Sequence, residues 1–290
     1  MRFLACLCLM TALLPPVSWS ADNQADISHL LKRASQGDVD AEFLMGLAYE
    51  KGRGVEQDFV EAARWYQKAG DAGSAGAQTN LGNLYLQGKG VIRDDQTAFK
   101  WYLRAAVQGQ PAAQTNVGFM YFYGHRGVAR DYAEAARWFT KAAGPQAPLA
   151  EANLASLYAK GLGVAQDYAH AAKLYLAAAQ HGNVYAQAVI GGMYEHGIGL
   201  PPDRAQSLKW YTMAAEHGSP QALNNLGYLY EHGEGVPRDL VQAAAFYRKA
   251  ADLGLVEARH NLDIILKDHA QSARASAESS RLDEREAGHR

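Results

Sequence analysis

The triplet Glu-His-Gly occurs three times, at 195–197, 216–218 and 231–233. Carboxylate beside imidazole is the pairing from which zinc sites and general acid–base pairs are built. Here each histidine stands directly before a glycine of the kind that ends a helix, where a ring donor or cation meets the negative end of the helix dipole. No His-Glu-x-x-His, Cys-x-x-Cys or phosphate-binding loop occurs among the 290 residues. Gly-x-Gly-Val recurs, but after a helical stripe where a dinucleotide fingerprint would follow a strand. No serine, histidine and aspartate stand apart from the surrounding pattern, so nucleophilic catalysis has no candidate. The sequence predicts no metal, no cofactor and no catalytic residue.

The chemically expressive residues that remain are amides and aromatic rings at fixed spacing. AQTNLGNLYLQGKGVIRD at 77–94 returns as AQTNVGFMYFYGHRGVARD at 113–131, EANLASLYAKGLGVAQD at 151–167 and ALNNLGYLYEHGEGVPRD at 222–239. In register, Tyr49, Tyr85, Tyr121, Tyr158, Tyr194 and Tyr230 are separated by 36, 36, 37, 36 and 36 residues, which makes six repeats. The single 37 comes from Gly124-His-Arg-Gly127, where the others have Gly-x-Gly, and a loop absorbs such an insertion at little cost.

Five places before the tyrosine stand Asn80, Asn116, Asn153 and Asn225, with Asn261 continuing the register and Leu44 and Val189 breaking it. Nearby places carry Asn83, Phe119, Tyr123, Lys160, Tyr228 and His232. A ladder of carboxamides can offer donors and acceptors to an extended peptide backbone while rings anchor its side chains. The same ladder can equally bond one repeat to the next, since most side-chain hydrogen bonds are internal. Thr79 and Thr115 are expected on the opposite face, where substitution should do little.

These positions need helices to hold them. Ala77, Leu81, Leu84 and Tyr85 follow a 3.6-residue period, as do Ala98, Trp101, Tyr102 and Ala105, so each repeat reads as a helix A, about 75–87, and a helix B, about 94–108. Gly46, Gly82, Gly118, Gly191 and Gly227 lie inside helix A, where glycine costs about 1 kcal/mol relative to alanine, which predicts close approach of helix B. Gly88 reads as a left-handed cap and Asp94 as the start of helix B; Asp58, Asp131, Asp203 and Asp239 each begin an Asp-x-x-Glu/Gln capping box.

The repeated signature, Ala-x-x-x-Leu-Gly-x-x-Tyr-x-x-Gly-x-Gly-Val-x-x-Asp-x-x-x-Ala-x-x-Trp-Tyr-x-x-Ala-Ala, resembles the Sel-1-like repeat (SLR), a relative of the tetratricopeptide repeat, over about 38–254. The resemblance implies an all-α, right-handed α-solenoid of six two-helix repeats. It also implies an adaptor that brings other proteins together, as family members do in bacterial envelope assembly, signalling and host interaction. Family members linked to β-lactam chemistry carry a Cys pair in each repeat, and this chain's two cysteines, Cys6 and Cys8, lie elsewhere.

Those cysteines sit in MRFLACLCLMTALLPPVSWS, whose short apolar run and small-x-small end read as a secretory signal peptide at 1–20, too short to span about 30 Å of hydrocarbon. A capping helix is expected at 21–37, the six repeats at 38–254, a second capping helix at 255–269 and a charged tail at 270–290. The net charge of −2 offers no general attraction to nucleic acid or acidic membranes. The expected protein is a non-catalytic periplasmic or secreted adaptor. It would bind a protein or peptide in a concave groove at Asn80, Asn83, Asn116, Phe119, Tyr123, Asn153, Lys160, Asn225, Tyr228 and His232. A glycan-binding envelope protein, taking cell-wall or exopolysaccharide components, is the alternative, and a cell-wall hydrolase a more distant one.

Overall fold

The computed structural model describes residues 23–267 and residue 271. The expected signal peptide at 1–20 therefore lies outside the described residues, as do 268–269 of the second capping segment and the tail at 270–290 apart from residue 271. The described helices fall into two units, divided after Asp167. The first holds α1 (Asn23–Ser35), α2 (Val39–Lys51), α3 (Phe59–Asp71), α4 (Ala75–Gln87), α5 (Asp95–Ala106), α6 (Pro111–Tyr123), α7 (Tyr132–Ala142) and α8 (Pro148–Lys160). The second holds α9 (Tyr168–Gln180), α10 (Val184–His196), α11 (Arg204–Glu216), α12 (Pro220–His232), α13 (Leu240–Asp252) and a helix over 256–267, α14. Among the described residues there is no strand, and within each unit successive helices pack as antiparallel pairs: the fold is an all-α solenoid. α1 packs Ile27, Leu30 and Ala34 onto α2, and α14 packs Ala258 and Ile265 onto the last repeat.

Each repeat is built from local signals. Ser74, Asn183 and Ser219 cap helix A by accepting a backbone N–H three residues on. Asp58, Asp94, Asp131, Asp203 and Asp239 cap helix B with one carboxylate oxygen shared by two N–H groups. The reciprocal half of the expected capping box is absent. The capping Asp N–H donates to the register tyrosine's carbonyl, as from Asp58 to Tyr49 at 3.0 Å and from Asp94 to Tyr85 at 3.0 Å, while Glu61 and Glu134 turn outward to Arg64 and Arg137. The fixed spacing from tyrosine to aspartate is thus a backbone clamp that closes the loop between helices A and B.

The glycines inside helix A meet rings of helix B. A methyl on Gly82 would lie 2.6 Å from the Tyr102 ring, and one on Gly118, Gly191 or Gly227 would lie 2.6 Å from Phe139, Tyr211 or Tyr247. In the loop, Gly88 takes φ +67 as the left-handed cap. Gly90, also at φ +67, has a further reason: a side chain there would strike the Phe59 carbonyl at the start of the preceding helix B. Buried glutamines join the repeats as well. Gln78, Gln114 and Gln187 donate to the carbonyls of Gly70, Ala106 and Ala179 at the ends of helices B, each of which also accepts the backbone N–H three residues on. Among the described residues no helix is long and apolar enough to cross a membrane.

Candidate functional site

The expected binding positions divide by burial into an inner and an outer set. Asn80, Asn83, Asn116 and Phe119 are inside, all below 8% exposed. Asn153 and Asn225 are half-buried, and Tyr123, Lys160, Tyr228 and His232 are exposed. The inner set cannot present its side chains to a partner, which corrects the expectation for those four residues.

The cause is a hydroxyl that the fold supplies in helix B. Tyr66 donates to Glu50 Oε2 at 2.6 Å and accepts from Asn80 Nδ2 of the next repeat at 3.2 Å. Tyr211 makes the same bond to Glu195 at 2.7 Å, and Asn225 of the next repeat acts on its hydroxyl to lower its pKa. In the second repeat Leu86 stands where the glutamate would be, so Tyr102 donates to Asn83 Oδ1 at 2.7 Å, and Asn116 Nδ2 reaches that same oxygen at 3.4 Å. In the third repeat Phe139 has no hydroxyl, and Asn153 of the next helix A turns to its own helix, donating to the Leu149 carbonyl at 2.7 Å. Asn80 and Asn116 thus bond into the preceding repeat, as Asn261 does through Asn224 Oδ1 at 3.0 Å, whereas Asn153 does not. Thr79 and Thr115 are also buried, with Thr79 Oγ1 hydrogen-bonded to Gln110 and to the Ala75 carbonyl; they are no exposed control face.

Asn80→Ala should therefore lower stability by about 1–3 kcal/mol, because it removes a buried amide that bonds the preceding repeat. Asn153→Ala, which gives up a bond within one helix and gains helix propensity, should change stability by less than about 0.5 kcal/mol. Chemical denaturation of the two variants checks the order.

Three of the four exposed members, Tyr123, Tyr228 and His232, carry rings, and Lys160 is the fourth. Tyr123 is 41% exposed and stacks on Phe119 at 6.0 Å between ring centres, with Phe122 edge-on at 4.9 Å. Tyr228 is also 41% exposed and stacks on His232 at 4.2 Å. Tyr185, in the register nine before the tyrosine, is the most exposed of these rings. The sequence marked Tyr123 and Tyr228 as helix-A positions off the buried stripe, together with Asn83 and Phe119, which are buried.

The three Glu-His-Gly triplets have separate local duties. His196 and His232 end α10 and α12 ahead of left-handed Gly197 and Gly233, whereas His217 is the C-cap of α11 and pairs with Gln187 at 3.1 Å. Among the described residues no group of three or more His, Cys, Asp or Glu is placed to hold a metal ion.

Six segments of the chain match the Sel1 repeat, at 39–74, 75–110, 111–143, 148–183, 184–219 and 220–255. Among solved structures, a protective antigen of uropathogenic Escherichia coli strains displaying an SLR fold is similar at 36% identity and a TM-score of 0.79. The match covers 83% of this chain and 51% of that one, so the chain spans about half the length of that relative. A Sel1 repeat protein from Oxalobacter formigenes is similar at 35% identity and a TM-score of 0.73, over 80% of this chain and 94% of its own. No curated protein matches the chain. With the repeat matched along most of the sequence and the hydroxyl–amide and glycine–ring contacts recurring with it, the chain belongs to the Sel1 repeat family.

Proposed function

We propose that the chain is a non-catalytic adaptor, exported to the periplasm or beyond the cell, that binds a protein or peptide partner through the outer aromatic side chains of its helix-A faces. Sel1 repeats typically mediate protein–protein interaction. The observation that carries the reading is the exposure of Tyr123, Tyr185 and Tyr228 in a scaffold that buries Tyr66, Tyr102, Tyr211 and Tyr247 almost completely. The second group fills the interior, whereas the first keeps much of each ring in solvent, and exposed rigid rings are what interfaces use as anchors. The signal-peptide pattern at 1–20 supports export. So does the description of the similar E. coli protein as a protective antigen.

The test compares residues 21–290 with a Tyr123→Ala/Tyr185→Ala/Tyr228→Ala variant as bait in an envelope extract. The variant should melt within a few degrees of the parent and lose its captured protein. An anchor ring typically contributes 2 kcal/mol or more, at least about thirtyfold in affinity. Capture undiminished by the triple change would overturn the reading. The same rings can stack on sugars, so binding on a glycan array with no protein captured would turn the proposal toward carbohydrate.

A further inference from the structure

The tryptophan of helix B comes with a fixed set of neighbours. Arg104, three residues on, lies over the Trp101 ring at 4.4 Å and reaches Asp71 of the preceding helix B at 3.3 Å. Lys68 and Lys141 lie over Trp65 and Trp138 from the same register, at 5.1 and 4.1 Å. Trp101 also faces Gly70 and Gln78, since a methyl on Gly70 would stand 3.3 Å from each of those two side chains. The surroundings are polar: Gln78 meets Gln108 at 2.8 Å, as Gln187 meets His217 at 3.1 Å in the fifth repeat.

In the sixth repeat this set loses its indole and its amides together. Phe246 replaces the tryptophan, and Leu223 and Leu253 take the places of Gln78 and Gln108. Glu42, Gln78, Gln114, Glu151 and Gln187 keep the first of these places polar in the other five repeats. The cation and the carboxylate remain, as Lys249 and Glu216. Phe246 stacks on Tyr230 at 5.5 Å and 27° and is only part-buried, whereas Trp101, Trp138 and Trp210 are at most 8% exposed. What results is an open cavity of about 580 Å³ among α11, α12 and α13, lined in part by Ala215, Glu216, Leu223, Phe246, Lys249 and Leu253. Its walls occupy the register that holds an indole elsewhere in this chain, and its volume lies in the range of ligand pockets.

We infer that this cavity receives the indole of a tryptophan side chain from the partner, with Lys249 over the ring face and Ala215, Leu223 and Leu253 against the ring. This rests on the adaptor reading above for the source of the ring and adds a contact on the helix-B side. The ring must come from another protein. Trp19 lies in the signal-peptide pattern and no tryptophan follows Trp210, so the segment after α14 cannot supply it. In a second copy Trp101, Trp138 and Trp210 are buried, and Trp65 packs against α1 and α2.

The test titrates N-acetyltryptophanamide, with N-acetylleucinamide as control, into residues 21–290 carrying labelled alanine and leucine methyls, followed by nuclear magnetic resonance. Shifts should concentrate at Ala215, Leu223 and Leu253 and saturate at about millimolar probe, the range of a single side chain. The leucine probe should bind about tenfold more weakly, having no ring for Lys249 to cover. Phe246→Trp supplies the chain's own indole, so it should melt no lower than the parent and lose the probe. Leu253→Gln, at a site 55% exposed, should keep the fold and weaken the probe. Shifts spread over other methyls, equal binding of the two probes, undiminished binding in either variant, or a Phe246→Trp melt well below the parent's would each overturn the inference. Phe246→Trp as bait should also retain less of the protein that the parent captures. Capture unchanged by Phe246→Trp but lost in the triple-tyrosine variant would remove the tryptophan contact and leave the adaptor reading standing, and capture unchanged in both would remove both. Loss in Phe246→Trp alone would keep this contact and remove the helix-A tyrosines.

Discussion

Raising the pH beyond about 10 should destabilise this protein steeply. Tyr66 and Tyr102 are fully buried, and Tyr211 and Tyr247 are 1% exposed. Burial, with Glu50 beside Tyr66, Glu195 beside Tyr211, Glu231 beside Tyr247 and Asp95 near Tyr102, holds these hydroxyl pKa values far above the ordinary 10.0. In the unfolded chain each titrates near 10, so the folded state keeps protons that the unfolded state gives up. The stabilisation is complete below pH 10 and is lost as the pH climbs above it toward the folded values. Each such group removes about 1.4 kcal/mol per pH unit in that range, and Tyr66 and Tyr102 alone remove about 3 kcal/mol per unit. A typical domain has only about 5–15 kcal/mol to lose.

Helicity and tyrosinate absorbance, followed together through the alkaline range, should change in one cooperative step for the buried tyrosines after the exposed ones have titrated singly. Tyr66→Phe should flatten the alkaline slope although it lowers stability at neutral pH. All sixteen tyrosines titrating near pH 10 with helicity intact would show that these hydroxyls are not sealed in.

Much of this arrangement was legible in the sequence because the chain states it six times. The 36-residue spacing, the glycine inside helix A and the glycines of the loop each solve one steric problem that every repeat shares. Helix A was read as 75–87 and is found at Ala75–Gln87, while helix B, read as 94–108, is shorter at Asp95–Ala106 because Asp94 caps it from outside. The capping box was only half legible. The sequence names Glu61 as a side chain able to accept the Asp58 N–H, but the return of the loop gives that N–H to the Tyr49 carbonyl.

The asparagine series shows a deeper limit. Periodicity reveals that a position matters without revealing which way its side chain faces, and here the deciding group lies in the preceding repeat, some 14 residues back as Tyr66 is from Asn80. The clue was the company the amides keep. Asn80 and Asn225 follow repeats with a helix-B tyrosine, Asn153 follows Phe139, and Leu44 follows α1, which has no tyrosine. At Leu44 no hydroxyl waits in the preceding helix, whereas Val189, which follows Tyr175, has no such explanation. The sequence could flag Tyr123 and Tyr228 as positions off the buried stripe but could not show which ring each stacks on, Phe119 for the first and His232 for the second.

Gly82→Ala should destabilise the protein, although alanine in place of glycine inside a helix ordinarily stabilises by about 1 kcal/mol. The added methyl would lie 2.6 Å from Tyr102 Cε1 and 3.2 Å from the Ala98 carbonyl. Tyr102 is fully buried and its hydroxyl is tied to Asn83 Oδ1 at 2.7 Å, so the ring cannot move aside without breaking that bond or shifting helix B. Gly118→Ala makes the same 2.6 Å contact with Phe139, whose ring has no hydroxyl to tether it and can tilt. The cost at Gly82 should therefore exceed the cost at Gly118. Leucine at either place should cost at least the 1–3 kcal/mol typical of overpacking while the spectrum stays helical. Tyr102→Leu combined with Gly82→Ala should cost less than the sum of the single changes, because shortening the ring opens the space that the methyl needs. Urea denaturation of the six variants, Tyr102→Leu alone included, measures the order directly. If Gly82→Ala proved as stable as the parent, the hydroxyl tether would not hold the ring, and helix B would be freer to yield than its contacts with helix A imply.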